Sequence, residues 1–388
     1  MNVSEIKEIK GSFSLEACTI DRICGCYVNN EKEKQAVSKD AFMSLPDEEQ
    51  HKYMEFFKKT LSGTLGKNLI DMEFPLAEEA DGGRQKKLLA LRDSALSDDE
   101  LVNRFYDLVI EGYDTVEKYF IILIHAVYDV PGITSDGILN EDASDSVYDH
   151  ILCAICPVKL EKGTLSYDPD ENRISEKIRD WIVSDPAHGF LFPAFNDRTA
   201  DIHSLLYYTK KSEEMQEGFI DHVLGTDPPL SAGDQADLFN TVVRQTLGDD
   251  ITLDDVMAIN DNVRIMINDH SDDPEPYLMD KSEIRRIFEK SGVDNEIMED
   301  FDWKYDEAAN SVSEDEEAAP VIHASNLSGI KKIDIRTPDV VIKVNPERSD
   351  LIETRLIDGR ECLVIAVDDR VVINGMQVHT IPADRLKR

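Results

Sequence analysis

The densest cluster of side chains able to do chemistry lies between His188 and Lys211, in HGFLFPAFNDRTADIHSLLYYTKK. Asp201 and His203 are two positions apart, so on a regular strand they share a face and can act as an acid–base pair. Arg198 stands at the adjacent turn, where a guanidinium can clamp an anion, with Asn196 and Asp197 beside it as binding candidates. His188 precedes the first apolar run. Together these residues suit a hydrolytic or phosphate-handling site. The competing structural reading is that Asn and Asp are ordinary turn formers and that a catalytic pair needs a third positioned group, which the sequence does not supply.

Other motifs are weaker. Cys24 and Cys26, with Cys153 and Cys156, resemble a set of four zinc ligands. A spacing of two puts the first pair on one face of a strand, whereas a spacing of three puts the second pair on opposite faces. The cysteines therefore read as small buried hydrophobes. Leu61–Asn68, LSGTLGKN, departs from a phosphate loop at its first glycine and at the Ser or Thr that would hold magnesium, and it reads as a helix stop. Gly82, Gly83, Arg84 and Gln85 approach the Gly-Gly-Gln of peptide release factors, but an arginine interrupts the tripeptide. His125, alone in the apolar run YFIILIHAV, reads as a core residue. Asp142–Ser146, DASDS, is a poor loop for a hard cation. No cofactor and no metal is expected.

The elements that must position these residues follow from hydrophobic periodicity. Strands are expected over 19–28, 119–127, 151–158 and 165–167, with Phe190–Phe195 and Ile202–Tyr208 as a closing hairpin. Helices are expected after Ser44, over 84–93 and 98–112, and over 174–183, the first starting from a Ser44–Asp47 capping box and the third from Ser97 and Glu100. Short turns between strands predict a mostly antiparallel sheet. Further helices open at Ser231, Thr252 and Asp280, and short apolar runs with tight turns at Asp358-Gly359 and Asn374-Gly375 follow from Ile333 on. The fold class is therefore α+β: a mostly antiparallel sheet with flanking helices over 1–211, a small helical bundle over 212–309, an acidic flexible linker over 310–329 and a small all-β module over 330–388.

Charge narrows the function. The chain carries 79 acidic and 42 basic residues, a net charge of −37. Ile330–Arg388 carries a net of +1, so the preceding residues carry −38. Such a field repels phosphate backbones and anionic lipid and attracts basic partners, so direct nucleic-acid binding by the acidic body is not expected. No stretch approaches the roughly 18 apolar residues of a membrane span, and the charged start, MNVSEIKEIKGSF, lacks a signal peptide's apolar core. Six dispersed cysteines do not make a disulfide framework. The chain reads as cytoplasmic.

In order, the phrases ICGCYV, LSGTLGKNL, LRDS, ILCAICPV, IRDWIV, GFLFPAFNDR, DIHSLLYY and TPDVVIKVNPE resemble a bacterial family known only as a domain of unknown function, over essentially the whole chain. The resemblance implies cytoplasmic bacterial proteins and carries no activity, cofactor or catalytic residue. Three functions stay open, in this order: a non-enzymatic interaction or regulatory protein; a hydrolase or phosphate-handling enzyme with its site at 196–203; and a translation- or ribosome-associated factor.

Overall fold

The computed structural model describes residues 1–16, 18–133, 139–169, 172–176, 179–248, 251–270, 273, 275–312, 320–327, 333–367, 371–373 and 375–378. Its contacts divide it into two compact units. The first is Met1–Asp234 with Asp273–Pro276, and the second is Gln235–Asp272 with Tyr277–Arg388.

The first unit is built on one large antiparallel sheet, whose spatial order is β2 (Lys34–Ala41), β1 (Ile20–Val28), β4 (Lys118–Ile133), β5 (Leu139–Leu160), β9 (His188–Phe192), β12 (Ser204–Thr209) and β3 (Leu69–Glu73). The far end of β5 also pairs with β8 (Trp181–Val183). Two small ribbons stand outside it: β6 (Leu165–Asp168) with β7 (Arg173–Glu176), and β10 (Ala194–Asn196) with β11 (Thr199–Asp201).

Strand alternation sends successive side chains of the central strands to opposite faces, and each face has its own core. Ile121 and Leu123 join Cys153 and Phe190 on one face, under α3 (Arg84–Asp93), α4 (Asp99–Gly112) and a π-helical turn at Ile220–Leu224 that continues α5 (Glu217–Phe219). Ile122 and Ile124 join Leu152 and Leu191 on the other, under α1 (Val3–Ser12) and α2 (Asp47–Thr60). A sheet covered on both faces needs strands apolar throughout, which is why YFIILIHAV and ILCAICPV read as unbroken runs.

Several local expectations are corrected. Ser44 does not cap α2. It sits in a 3-10 turn, its hydroxyl donating to the Ala41 carbonyl, and the helix starts after Pro46 without a side-chain cap. Asp98, not Ser97, caps α4 by accepting from the Glu100 and Leu101 amides. Within 174–183, where the spacing predicts a helix, residues 174–176 and Trp181–Val183 lie in strands: Ile174 pairs with Tyr167 across a turn where Asn172 is left-handed, and Trp181 pairs with Leu160. Local pairing there outweighs the apparent helical spacing. The closing hairpin is present, Tyr207 opposite Phe190, but its tip is a separate ribbon, β10–β11. The side chains of Asp142–Asp145 lie outside the described residues.

The second unit contains most of α6 (Ala232–Leu247), then α7 (Leu253–Asp269), α8 (Lys281–Lys290), α9 (Asn295–Met298) and α10 (Phe301–Val312). A capping box between Thr252 and Asp255 opens α7, and Asp280 caps α8. The bridge β13 (Leu278–Met279) to β14 (Ile322–His323) joins them. Of the stretch expected as a linker, 310–312 complete α10, while 313–319 and 328–329 lie outside the described residues. The remaining strands form three two-stranded ribbons: β15 (Ile333–Arg336) with β16 (Val341–Val344), β17 (Ile352–Ile357) with β18 (Arg360–Ile365), and β19 (Val371–Ile373) with β20 (Met376–Val378). Asp358 and Gly359 make the expected left-handed turn; Asn374 lies outside the described residues.

Candidate functional site

Asp197 and Arg198 form the two-residue turn of the β10–β11 ribbon, with φ of 50° and 56°. This is a turn whose twist matches a hairpin, and Asp tolerates it well. The turn aims the Arg198 guanidinium at α1, where Nε and Nη2 donate to the two carboxylate oxygens of Glu8 at 2.9 and 2.7 Å, and Nη2 also donates to the Pro131 carbonyl. An arginine fork filled by a carboxylate of the same chain is engaged as a clamp before any ligand arrives.

Asp201 ends β11, and His203 follows it in a turn, so the two do not share a strand face. The Asp201 carboxylate accepts from Asn196 Nδ2 and Ser204 Oγ, both at 2.7 Å, and from the His203 backbone amide at 3.0 Å. Burial raises its pKa, but these hydrogen bonds outweigh burial and hold it below the usual range. The His203 imidazole turns outward to Glu79, with Nδ1 2.7 Å from Oε1, and that hydrogen bond and charge raise its pKa. The structure thus brings Asn196, Asp201 and Ser204 together and directs His203 and Arg198 elsewhere. His188 is buried. Its Nε2 donates to the Glu214 carbonyl and its Nδ1 accepts from the Tyr113 hydroxyl, both at 2.8 Å, and burial lowers its pKa to about 4. That bonding fixes a neutral tautomer.

The remaining motifs are also taken up by structure. Cys24, Cys26 and Cys153 face the α3–α4 core and Cys156 faces the α1–α2 core, as strand alternation requires. Gln85 is buried and donates to the Ile202 carbonyl, so it is not presented at a loop tip. Asn68 donates to the Thr209 and Lys210 carbonyls and stitches the loop after α2 to the end of β12. His125 has two carboxylate neighbours, Asp21 at 3.1 Å from Nδ1 and Asp149 at 2.7 Å from Nε2. No group of three His, Cys, Asp or Glu side chains among the described residues is arranged to hold a metal.

Sequence reasoning missed a groove between α3 and α4, of about 460 Å³. Its floor is Leu88, Leu91, Leu101, Phe105, Leu108 and Val223. Leu88 and Leu91 on α3, and Leu101, Phe105 and Leu108 on α4, recur every three or four positions, so each helix presents one apolar stripe. Lys86 and Lys87 stand on the α3 wall and Asp107 and Glu111 on the α4 wall, with Arg104 bonded to Glu100. Asp107 is paired with Lys34 at 2.7 Å, whereas Lys86 and Lys87 have no ion pair among the described residues. The volume falls in the size range of small-ligand clefts, roughly 300–1,000 Å³. Only the distance between two helices, not the spacing within either, makes it, and so the sequence held no signal for it.

The fold and these sites define an α+β protein with one large antiparallel sheet, helices on both of its faces and a run of small C-terminal ribbons. The profile of a family described as a domain of unknown function, DUF4317, matches residues 1–376, and the chain belongs to that family. No curated protein matches it. No helix among the described residues is long and apolar enough to cross a membrane.

Proposed function

We propose that this is a non-enzymatic interaction protein that binds an amphipathic helical segment of a partner protein in the α3–α4 groove. One observation carries the reading: a groove of about 460 Å³ is lined by the partly buried Leu101 and Leu108 over the buried Leu88, Leu91, Phe105 and Val223, on a unit that otherwise covers both faces of its sheet. Helix-in-groove recognition uses apolar anchors at i, i+4 and i+7, which the leucine and phenylalanine stripes of the two helices suit. The two walls differ in charge. Lys86 and Lys87 on α3 suit carboxylates along one edge of the incoming helix, and Glu111 on α4 suits a cation along the other. The net charge of −37 favours a partner that is basic overall. The polar ribbon at Asn196–Asp201 is a weaker candidate for chemistry because Arg198 and Asp201 already hold partners within the chain.

The test is a photocrosslinking residue at Leu101 or Leu108 in the full chain, in cell lysate at low and physiological salt. A discrete adduct is expected at those positions and not from the exposed Leu165, and the isolated partner should bind Lys86→Glu/Lys87→Glu at least about tenfold more weakly. No position-specific adduct, or undiminished binding to a Leu101→Glu/Leu108→Glu variant, would overturn the proposal.

A further inference from the structure

The β17 strand, with the residue before it, reads Leu-Ile-Glu-Thr-Arg-Leu-Ile over Leu351–Ile357. Reversed, the same stretch keeps its chemistry: two apolar residues, a charge, Thr354, the opposite charge, two apolar residues. An antiparallel pair of identical strands related by a twofold axis places residue i against residue j and j against i. Centred on Thr354, that pairing sets Glu353 opposite the second copy's Arg355 twice over, and sets Ile352 opposite Leu356.

The edge that such a pairing needs is open. Among the described residues, β17 pairs only with β18. The Ala366 amide donates to the Leu351 carbonyl at 2.7 Å, with Ile352 opposite Ile365 next along the ladder. Hydrogen-bonded positions alternate in an antiparallel ladder, so 353, 355 and 357 bond to β18. The backbone groups of Thr354 and Leu356 and the Ile352 carbonyl then point to the open edge, while the Ile352 amide donates to the Ser349 carbonyl of the turn before the strand. Those are the residues that a dimer centred on Thr354 would pair by hydrogen bonds. Glu353 and Arg355 fall at the non-hydrogen-bonded positions, where facing side chains come closest; within one chain they already form an ion pair at 2.5 Å, and the twofold pairing brings the two such pairs together as a four-charge cluster.

Two further observations favour a second copy over a different occupant. A lone two-stranded ribbon is marginal in water and gains stability when three or more strands share an apolar face. Here Leu356 is 75% exposed and Ile357, Leu363 and Ile365 are also exposed, so the β17–β18 ribbon leaves these four apolar side chains uncovered, although Ile352 is buried. Two copies that each carry −38 before Ile330 repel one another, and Ile330–Arg388, at +1, is the part of the chain that two copies can bring together without that cost.

We infer that the protein self-associates through β17, forming a continuous four-stranded antiparallel sheet, β18–β17–β17–β18, across a twofold axis at Thr354. This surface is independent of the α3–α4 groove, and it stands or falls without it.

The test is sedimentation of the full chain from about 1 to 100 µM, a range that resolves dissociation constants near a micromolar. The wild-type chain is expected to be a dimer. Glu353→Arg and Arg355→Glu, each alone, place like charges opposite one another twice and should weaken the dimer by about tenfold or more. The double variant Glu353→Arg/Arg355→Glu restores opposite charges and should return the dissociation constant to within about threefold of wild type. Thr354→Pro removes an amide that faces only the open edge and should give a monomer with unchanged circular dichroism. If it misfolds, the charge-swap series still decides. A wild-type chain that stays monomeric at the top concentration, single variants that dimerise as wild type does, or a double variant that fails to recover would each overturn the inference.

Discussion

Arg198 and Glu8 are 190 positions apart and meet as a two-pronged ion pair, Nε to Oε2 at 2.9 Å and Nη2 to Oε1 at 2.7 Å. Both side chains are about four-fifths buried. The pair fastens the β10–β11 ribbon to α1, so its role is to hold the closing hairpin against the sheet. Arg198→Ala leaves the Glu8 carboxylate with the Tyr128 hydroxyl but no counter-charge, and should cost about 2–3 kcal/mol in urea unfolding, between the values for exposed and fully buried pairs. Arg198→Gly should cost less, because glycine accepts the left-handed backbone at that turn. Equal losses in the two variants would show that backbone strain contributes nothing.

Two buried histidines predict acid sensitivity. Burial lowers the pKa of both His188 and His150 to about 4. The unfolded chain, titrating near 6.5, then binds more protons than the folded chain between pH 6.5 and 4, so folding stability falls as pH falls through that window. From pH 7.5 to 5 each histidine should account for up to about 2 kcal/mol. His203 has the opposite sign: its raised pKa gives stability below 6.5 that is lost as pH rises through the folded value, but it is fully exposed to solvent screening. Urea midpoints measured across the window should slope upward with pH. His150→Phe should flatten that slope, and an unchanged slope would refute the assignment.

The thiols should divide into two classes. Cys24, Cys26, Cys153 and Cys156 are buried, whereas Cys18 and Cys362 are partly exposed. Burial pushes Cys24 and Cys26 up to about 11 and raises Cys153 and Cys156 as well, so access and ionisation both disfavour reaction. An aromatic disulfide reagent should titrate two thiols in the native protein, the partly exposed Cys18 and Cys362, and the other four only after denaturant is added. Fast reaction of a third thiol would mean that one sheet face opens in the native state.

What could be read from the residues, and what could not, follows from the range of the interactions. Strands such as YFIILIHAV were legible because burial on both faces demands apolar residues throughout, and the opposite facing of Cys153 and Cys156 followed from strand geometry alone. The edge strand β2, KQAVSKDA, carried no such signal, since nearly all of its side chains are exposed. The polar candidates failed to converge for a different reason. Spacing could place Asp201 near His203 but could not show that Glu79 takes the imidazole or that Glu8 fills the Arg198 fork. The partners come from α1 and from the loop before α3, far away in sequence. The groove was hidden in the same way, because Leu101 and Leu108 have the periodicity of any buried helical stripe.

Gly189 offers the sharpest test of the sheet's packing. It sits in β9 between Ala154 of β5 and Tyr208 of β12. A β-carbon there would lie 2.3 Å from the Cys153 carbonyl oxygen and 2.7 Å from the Thr60 methyl at the end of α2. The carbonyl belongs to a central strand and cannot retreat without distorting the ladder. The Thr60 methyl could move by rotation, but its hydroxyl donates to the Phe56 carbonyl and holds the rotamer. Gly189→Ala should therefore destabilise the protein by about 3 kcal/mol, the upper range for overpacking. Gly11, in α1, has nothing within 4 Å of its β-carbon position, and Gly11→Ala should stabilise by up to about 1 kcal/mol through helix propensity. Adding Thr60→Ser to Gly189→Ala removes the methyl and leaves the carbonyl, so only part of the loss should return. Full recovery in the double variant would mean that the α2 contact, rather than the strand ladder, is what requires glycine at this position.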